Sequence, residues 1–382
     1  MKILVCQAAS LNNVLTEMSK SLARSLTECG AEVNLVPIAS IDPVGAMART
    51  ITETQSDWVV SFGSQGAEFQ TNEGQSIYDV AACGFVGWDV DHPAYQFKRF
   101  NAPIRRRVQI NASPSHSQFS ELIGCNAKAL PMLPGVDAVV ADRLQLEERP
   151  ILATAVMTWL GEPNDWWSQA KGTMVFRLVE GVVGRLLADE RADVLSAYQS
   201  TLDDIGVNFP IDESMSNIIA NIGLFVRQYD RLNFATNLVK MGLPCVICGN
   251  GWRDRLGEAS HVTYIDNLDV ADLWQLYKKS RVAFNLNAAN GASERAVMAM
   301  ASGAAVISDY GPLLQTQFGD QEAIRFFDRS KPATIMDALL SVLGSGDGQR
   351  IADCGYQSIS KEHLWSHRAA QMLRGIGRVS TI

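Results

Sequence analysis

The sequence predicts an α/β fold made of two doubly wound, mostly parallel sheets, one in each half of the chain. The chain has 382 residues, which is too long for one core of ordinary size and suits two domains. Hydrophobic residues make up 47% and charged residues 19%, a globular composition. Short apolar runs alternate with helical segments throughout, which is typical of Rossmann-like domains.

The first half opens with an apolar run that predicts a strand, followed by a helix that stops at a glycine. The run is KILVC, and the helix is predicted from Met18 to Cys29, just before Gly30. Further strands are predicted at Glu32–Ile38, Trp58–Phe62, Gly84–Trp88, Val108–Asn111 and Lys128–Leu133, with a short helix at Ser117–Ile123. We therefore expect an N-terminal Rossmann-like domain over residues 1–145.

A polar segment from Asp137 to Pro150 lacks apolar periodicity and predicts the link to a second Rossmann-like domain over residues 146–360. Its strands are predicted at Ile151–Leu160, Pro244–Cys248, Val262–Ile265, Val282–Leu286 and Ala304–Ser308, and its helices up to Leu202 and at Asn217–Met241, Val270–Lys279 and Glu294–Ala301. A C-terminal helix within residues 361–382 is expected to close the chain. Since ligands bind at the carboxyl edges of such sheets, we expect the two domains to face each other across a cleft.

The loop between Asn287 and Ser293 is a candidate anion site, because it lies between a predicted strand and the start of a predicted helix. The first N–H groups of a helix have no partner within it, and the helix dipole adds positive charge there. Asn287, Asn290 and Ser293 add side-chain donors, and Arg295 adds a full charge. A phosphate or diphosphate would suit this position. The alternative is that Ser293 only caps the helix and the asparagines only form turns.

The densest polar cluster of the first half, GWDVDHPAYQFKRF, follows the predicted strand Gly84–Trp88. Asp91 and His92 therefore fall at a carboxyl end, and Pro93 keeps His92 out of helical geometry. A histidine beside a carboxylate, or a desolvated aspartate, can act as a general base near neutral pH. Asp91 and His92 are candidate catalytic or substrate-binding residues. The alternative is that they only cap the loop.

Several classes of function are excluded by composition and by missing motifs. A net charge of -8 and a pI near 5.2 argue against a nucleic-acid partner. The first strand is followed by QAASLNN and not by G-x-G-x-x-G, so NAD or FAD is not expected, and no P-loop is present. Five histidines form no ligand pattern, so no metal site is predicted. The chain shows no signal peptide and no transmembrane run of roughly 20 residues, so we expect a cytoplasmic protein.

From about Met241 to Leu373 the chain resembles the C-terminal domain of GT-B fold glycosyltransferases (glycosyl transferases group 1), most closely the CgeB-like, spore-maturation-type group. The matching pieces, in order, are GLPCVICGNGW, VTYIDNLDVADLWQLYKKSRVAFNLN, GASERAVMAMASGAAVISDY and IADCGYQSISKEHLWSHRAAQML. In the first half, DVDHP and GCNAKALPMLPGVD also fit this group. The resemblance implies two facing Rossmann-like domains and transfer of a sugar from a nucleotide-diphosphate donor.

The resemblance also implies where the donor binds. Tyr264 and Ile265 would lie near the base, which is expected to be uracil in a UDP-sugar. The residues implied to hold the ribose and diphosphate are Asn287, Asn290, Gly291, Ala292, Ser293, Glu294 and Arg295. The N-terminal domain would bind an unidentified acceptor, with Asp91 or His92 deprotonating its hydroxyl group. No metal and no cofactor beyond the donor would be required.

The sequence departs from the wider GT-B pattern at two positions. Many of those enzymes carry two glutamates spaced E-x7-E, and Asn290 and Met298 stand at the corresponding places. We expect a metal-independent glycosyltransferase. The alternatives are a nucleotide-sugar epimerase or hydrolase on the same fold and a non-catalytic binding or assembly protein.

Overall fold

The structure is a computed structural model that describes residues 1–8, 10, 13–287, 291, 293–344 and 346–377. The chain divides into two compact units. The first contains Met1–Asp137, the short segment Ile211–Glu213 and the chain from His363 onward. The second contains Ala138–Pro210 and Ser214–Glu362. The first segment of unit 1 thus ends at Asp137, whereas the predicted boundary between the domains lay after residue 145.

The first unit contains a six-stranded parallel sheet with the order β2-β1-β3-β4-β5-β6. Its strands are β1 (Lys2–Gln7), β2 (Glu32–Pro37), β3 (Trp58–Phe62), β4 (Gly84–Asp89), β5 (Arg107–Asn111) and β6 (Lys128–Pro131). Its first helices are α1 (Val14–Glu28), α2 (Pro43–Thr54), α3 (Ile77–Val80), α4 (Phe97–Phe100) and α5 (Pro114–Leu122). Every residue of β3, β4 and β5 is buried, because helices cover both faces of a doubly wound parallel sheet.

The second unit contains another six-stranded parallel sheet, with the order β12-β11-β10-β7-β8-β9. Its strands are β7 (Ile151–Val156), β8 (Cys245–Cys248), β9 (Val262–Ile265), β10 (Ser280–Asn285), β11 (Ala305–Ser308) and β12 (Arg325–Phe326). Its helices are α6 (Met174–Ala188), α7 (Val194–Ile205), α8 (Glu213–Lys240), α9 (Trp252–Leu256), α10 (Val270–Lys279), α11 (Glu294–Ala301), α12 (Pro312–Leu314), α13 (Ala333–Leu343) and α14 (Asp347–Glu362).

The strand order of the second sheet reverses between β7 and β10. Strands β7, β8 and β9 run outward in one direction, and β10, β11 and β12 run outward in the other. β7 and β10 are paired in parallel, with Ala153 opposite Val282 and Ala155 opposite Phe284. In open α/β sheets, ligands bind outside the carboxyl ends of the strands at such a reversal. A ligand-binding site is therefore expected beyond the strand ends at Val156 and Asn285.

The last helix, α15 (Trp365–Gly377), packs on the core of the first unit. Trp365, Ala369, Met372 and Ile376 recur at helical spacing and are buried. The Trp365 ring lies 5.4 Å from that of Trp88. This helix was predicted as a separate terminal segment, but it belongs to the first unit.

The two sheets confirm the predicted α/β class of two doubly wound domains. The strands and helices at the candidate site, from β8 to β11, start and end within a few residues of their predicted positions. The helical stretch before α8 is better defined in the structure, where α6 and α7 form an insertion between β7 and α8. Within the described residues, no helix is both long enough and apolar enough to cross a membrane.

Candidate functional site

The candidate anion-binding loop starts at Asn287, directly after β10, and is anchored to the neighbouring strand. The backbone N–H of Asn287 and its Nδ2 both donate to Oδ1 of Asp309, each at 2.8 Å. Asp309 follows β11, so the anchor joins the ends of two adjacent strands. Gly291 is buried within the loop. Two predicted site residues, Asn290 and Ala292, lie outside the described residues.

Helix α11 begins at the predicted position, and Ser293 caps it. Ser293 Oγ accepts a hydrogen bond from the backbone N–H of Arg295 at 3.1 Å, as expected of an N-cap serine. The helix from residue 296 to residue 301 is buried throughout. Glu294, the first residue of the helix, is partly exposed, and one of its carboxylate oxygens lies 4.0 Å from Nε of Arg295. Ser293 therefore caps the helix, as the alternative interpretation of this loop predicted. A capped helix start still offers N–H groups to an anion.

Arg295 lies at the strand-order reversal and joins the ends of β7 and β10. Its Nη1 donates to the carbonyl of Val156, its Nη2 to the carbonyl of Leu286 at 3.4 Å, and its Nε to Ser293 Oγ at 2.8 Å. Its side chain is only 16% exposed. Since these partners are neutral, the positive charge of the guanidinium is not cancelled by them. Arg295 therefore holds the ends of the two strands together, and its nearest carboxylate is that of Glu294 at 4.0 Å.

A pocket of about 300 Å³ opens beyond the ends of β8 and β9. Tyr264 and Ile265, which were predicted to lie near a base, both line this pocket. Tyr264 Oη is buried and makes no hydrogen bond within the described part of the chain. Burial raises the pKa of Tyr264, so its hydroxyl stays protonated at neutral pH and can donate a hydrogen bond. The remaining lining residues are Gly249, Gly251, Trp252, Arg253, Asp254 and Asp266.

The pocket is built by a GNGW turn after β8, which the sequence analysis recorded without assigning it a role. Trp252 is fully buried, and its Nε1 donates to the carbonyl of Met157 at 2.5 Å. Gly249 has a φ of 140° and lies against the same Met157 carbonyl. A Gly-x-Gly turn at a strand end was the sequence signal that pointed to a close approach of backbone here.

The end of β7 connects the pocket to the loop. The carbonyl of Val156 accepts a hydrogen bond from Arg295, and the carbonyl of the next residue, Met157, accepts one from Trp252. The pocket and the loop therefore lie on one edge of the second sheet, separated by two to three strand spacings, or about 10–14 Å. This edge brings together every described site residue predicted in the second half of the chain.

Asp91 and His92 belong to the first unit and follow β4, as predicted. His92 is 4% exposed, and its Nδ1 accepts a hydrogen bond from the backbone of Ala94 at 3.2 Å. Its ring packs 4.6 Å from that of Phe119 and 4.9 Å from that of His116. Burial lowers the pKa of His92 well below its ordinary value, so the ring is neutral. His92 therefore caps its loop, whereas Asp91 is exposed.

Asp89 is a second carboxylate at this strand end, and it was not among the predicted site residues. It is 2% exposed and accepts hydrogen bonds from Ser64 and, at 2.7 Å, from Nε2 of Gln109. Gln109 in turn accepts a hydrogen bond from Arg107 at 2.8 Å. Burial raises the pKa of Asp89 to about 6, against the opposing effect of these hydrogen bonds. The network holds Ser64 in a left-handed turn with a φ of 47°.

No group of three or more histidine, cysteine, aspartate or glutamate side chains within the described ranges is arranged to hold a metal ion. The edge of the second sheet offers backbone N–H groups, the guanidinium groups of Arg295 and Arg253, and a pocket of mixed polarity. Such an edge suits a ligand that combines a flat ring with an anionic group.

Comparison with protein families gives a match between residues 227–374 and the family model described as "Glycosyl transferase-like". The matched segment includes the pocket, the loop and α11. No curated protein sequence is significantly similar to the chain.

Solved structures share the fold over the whole chain. Sucrose-phosphate synthase (tll1590) from Thermosynechococcus elongatus has a TM-score of 0.59 at 11% identity and covers 100% of this chain and 99% of its own. Anabaena Alr3699/HepE in complex with UDP and glucose has a TM-score of 0.59 at 11% identity, covering 99% of this chain and 100% of its own. An alpha-glucosyltransferase in complex with UDP and a 13-mer DNA has a TM-score of 0.55 at 12% identity, covering 100% and 99%. The predicted GT-B fold is confirmed.

Proposed function

We propose that this protein is a glycosyltransferase that moves a sugar from a nucleotide-diphosphate donor, a UDP-sugar, to an acceptor hydroxyl group. The observation that carries the proposal is the continuous edge of the second sheet, where the pocket at Tyr264 and the capped helix start at Ser293 flank the strand-order reversal. The glycosyl transferase-like family model covers this same edge. UDP is the nucleotide named for two of the structures with the same fold.

In this proposal the base occupies the pocket and the diphosphate lies at the loop and the start of α11. Tyr264 Oη and the exposed cation of Arg253, whose guanidinium carbon lies 5.9 Å from the Tyr264 ring centre, would contact the base or ribose. The leaving diphosphate would be stabilised by the N–H groups of α11 and by the charge of Arg295, since preorganised donors act most strongly where negative charge develops. Glu294 and Asn287 would orient the ribose or the sugar.

We propose that this reaction needs no metal ion. We also propose that the protein belongs to the CgeB-like group, in line with the Glu-Arg pair at Glu294 and Arg295. The test of metal independence is transfer activity after chelation: unchanged turnover in excess EDTA is expected. A complete loss of turnover that Mg²⁺ or Mn²⁺ restores would overturn this assignment.

On the acceptor side, we propose Asp91 as the general base, because it is the exposed member of the predicted pair. Asp91→Asn is expected to lower kcat at least about 100-fold while leaving the donor Kd unchanged, since general bases contribute 10²–10⁴-fold. His92→Asn retains a side chain that can cap the loop and is expected to lower kcat less than about tenfold. Steady-state kinetics and donor binding on both variants check this, and the reverse ranking would make His92 the base.

The proposal as a whole is tested by thermal unfolding with UDP-, GDP-, ADP- and TDP-glucose. UDP-glucose at 100 times its Kd should stabilise the protein by about 2.7 kcal/mol, because a ligand that binds only the folded state shifts the unfolding equilibrium. Gly311→Ala is the matched site variant: an added Cβ would lie 3.0 Å from the carbonyl oxygen of Gly291 and displace the loop. Gly184→Ala is the control, since its Cβ meets nothing within 4 Å.

The outcomes separate the rival functions. Loss of stabilisation in Gly311→Ala but not in Gly184→Ala supports the site. Consumption of UDP-glucose without any acceptor would favour an epimerase or hydrolase. Failure of all four nucleotide sugars to stabilise the wild-type protein would contradict the proposal and favour a non-catalytic assembly protein.

A further inference from the structure

Asp309 is the anchor of the proposed donor loop, and it is buried. Its side chain is 4% exposed, and its Oδ1 receives both hydrogen bonds from Asn287. Two residues further on, Gly311 lies against the loop at Gly291. The segment that carries Asp309 therefore supports the loop at both Asn287 and Gly291.

Asp309 also lines a small cavity in the second unit. The cavity has about 20 Å³ of space accessible to water, enough for about one water molecule. The connection between α6 and α7, helix α8 and the segment after β12 line it with Asp309. Its lining residues are Leu186, Ala192, Val194, Gly223, Val226, Arg227, Asp230, Asn287, Asp309 and Arg329. The cavity thus has room for a water molecule beside a carboxyl group that is otherwise enclosed.

Three other charged side chains line this cavity together with Asp309. On α8, Asp230 forms an ion pair with Arg329 at 2.7 Å, and Arg227 lies beside it. Arg329 also donates to the carbonyl of Leu186 at 2.7 Å. The Arg329 cation is therefore directed at Asp230 and Leu186, while Oδ1 of Asp309 accepts hydrogen bonds from neutral groups.

The connection between α6 and α7 adds two charged residues near this region. Glu190 lies on it, and the Arg191 guanidinium carbon lies 5.5 Å from the Tyr310 ring centre. Burial raises the pKa of Asp309 to about 7, the Asn287 bonds and Arg329 oppose the rise, and Asp230 adds to it. The carboxyl group is thus protonated more readily than an exposed aspartate, and a nearby change in charge will shift its protonation.

We infer that Asp309 is a positioning residue of the donor loop and that nucleotide-diphosphate binding there is coupled to the uptake of one proton by its carboxyl group. The inference rests on the proposed function. A diphosphate brings negative charge to a loop that Asp309 holds from behind, and like charges favour protonation of the carboxylate. By linkage, protonation must then favour diphosphate binding by the same free energy.

The proton comes from solvent and forms an O–H bond on Oδ2, changing the charge of the side chain from −1 to 0. Oδ1 keeps its lone pairs, so both hydrogen bonds from Asn287 persist in the protonated state. Binding therefore neutralises the anchor without releasing the loop. Asparagine at position 309 would imitate the protonated form, with its Oδ1 accepting from Asn287 and no group left to titrate.

The test is calorimetry of UDP-glucose binding at pH 6 to 9, repeated in two buffers of different ionisation enthalpy. UDP-glucose is the probe because its diphosphate diester does not titrate near neutral pH. For a group with a pKa of about 7, uptake of about 0.1 proton is expected at pH 6 and about 0.9 at pH 8. Affinity should fall as the pH rises above 7, by at most about tenfold per pH unit, for as long as the carboxyl group of the complex stays protonated.

Asp309→Asn should bind UDP-glucose with no proton uptake and with constant affinity over this range. Asp89→Asn is the matched control, since Asp89 is also buried with a raised pKa but belongs to the first unit; its uptake should equal that of the wild type. Binding without proton uptake in the wild type, or equal uptake in Asp309→Asn, would overturn this inference alone. If UDP-glucose binds at no pH, the proposed function fails and this inference fails with it.

Discussion

Replacing Gly249 by alanine is expected to destabilise the protein by about 4 kcal/mol or more, a loss at the extreme end for single substitutions. Gly249 has a φ of 140°, a region open to glycine alone, and its added Cβ would lie 2.6 Å from the carbonyl carbon of Met157 and 2.9 Å from Cα of Thr158. Both contacts are with backbone, which cannot rotate aside. The end of β7 or the turn after β8 must therefore move, and the pocket with it.

Chemical denaturation of the purified variant measures this loss. Gly206→Ala is the control, because Gly206 also has a positive φ, 69°, but lies in the left-handed helical region and has nothing within 4 Å of the added Cβ. Its cost should be limited to the left-handed backbone, about 1–2 kcal/mol. Equal losses in the two variants would show that the close approach at Met157 does not exist in solution.

Replacing Arg295 by alanine is expected to weaken both the fold and donor binding. The carbonyls of Val156 and Leu286 lose their guanidinium donors, and each buried carbonyl left without a partner costs about 1–3 kcal/mol. The site also loses its positive charge at the strand-order reversal. We expect donor affinity to fall about 10- to 100-fold, equivalent to about 1.4–2.8 kcal/mol. Denaturation and UDP-glucose calorimetry measure the two effects separately.

Arg295→Lys separates the charge from the geometry. Lysine keeps the positive charge but lacks the planar fork that reaches two carbonyls. We therefore expect Arg295→Lys to recover most of the donor affinity and little of the lost stability. Unchanged donor affinity and turnover in Arg295→Ala would mean that Arg295 has no role in donor binding and acts only as a structural clamp.

Most of the fold was predictable from sequence because it depends on local patterns. Short apolar runs bounded by Gly, Asn and Asp predicted the strands, and the position of Ser293 before an amphipathic run predicted the start of α11. The GNGW turn and the Tyr264–Ile265 strand end were recognisable for the same reason. The ends of helices were less accurate: α1 starts at Val14 and not at Met18.

The roles of individual side chains were less predictable than their positions. Arg295 was predicted to bind the anion directly, yet its nearest partners include the carbonyl of Val156, 139 residues earlier. His92, a candidate base, is buried against Phe119 and His116 of α5, and its Nδ1 also caps its own loop, which the sequence did not reveal. Asp309 was not predicted as a site residue, because no local sequence pattern reveals that Asn287 donates two hydrogen bonds to it.

The sequence by itself thus determined two α/β domains and a loop before a capped helix. Only the tertiary structure decided that α15 completes the first core, that Arg295 clamps two strand ends and that Asp309 is buried beside a cavity. The physical reason is the strand order. It places β7 beside β10 and β10 beside β11, and the resulting pairs set the burial and charge around each side chain, which no local periodicity encodes.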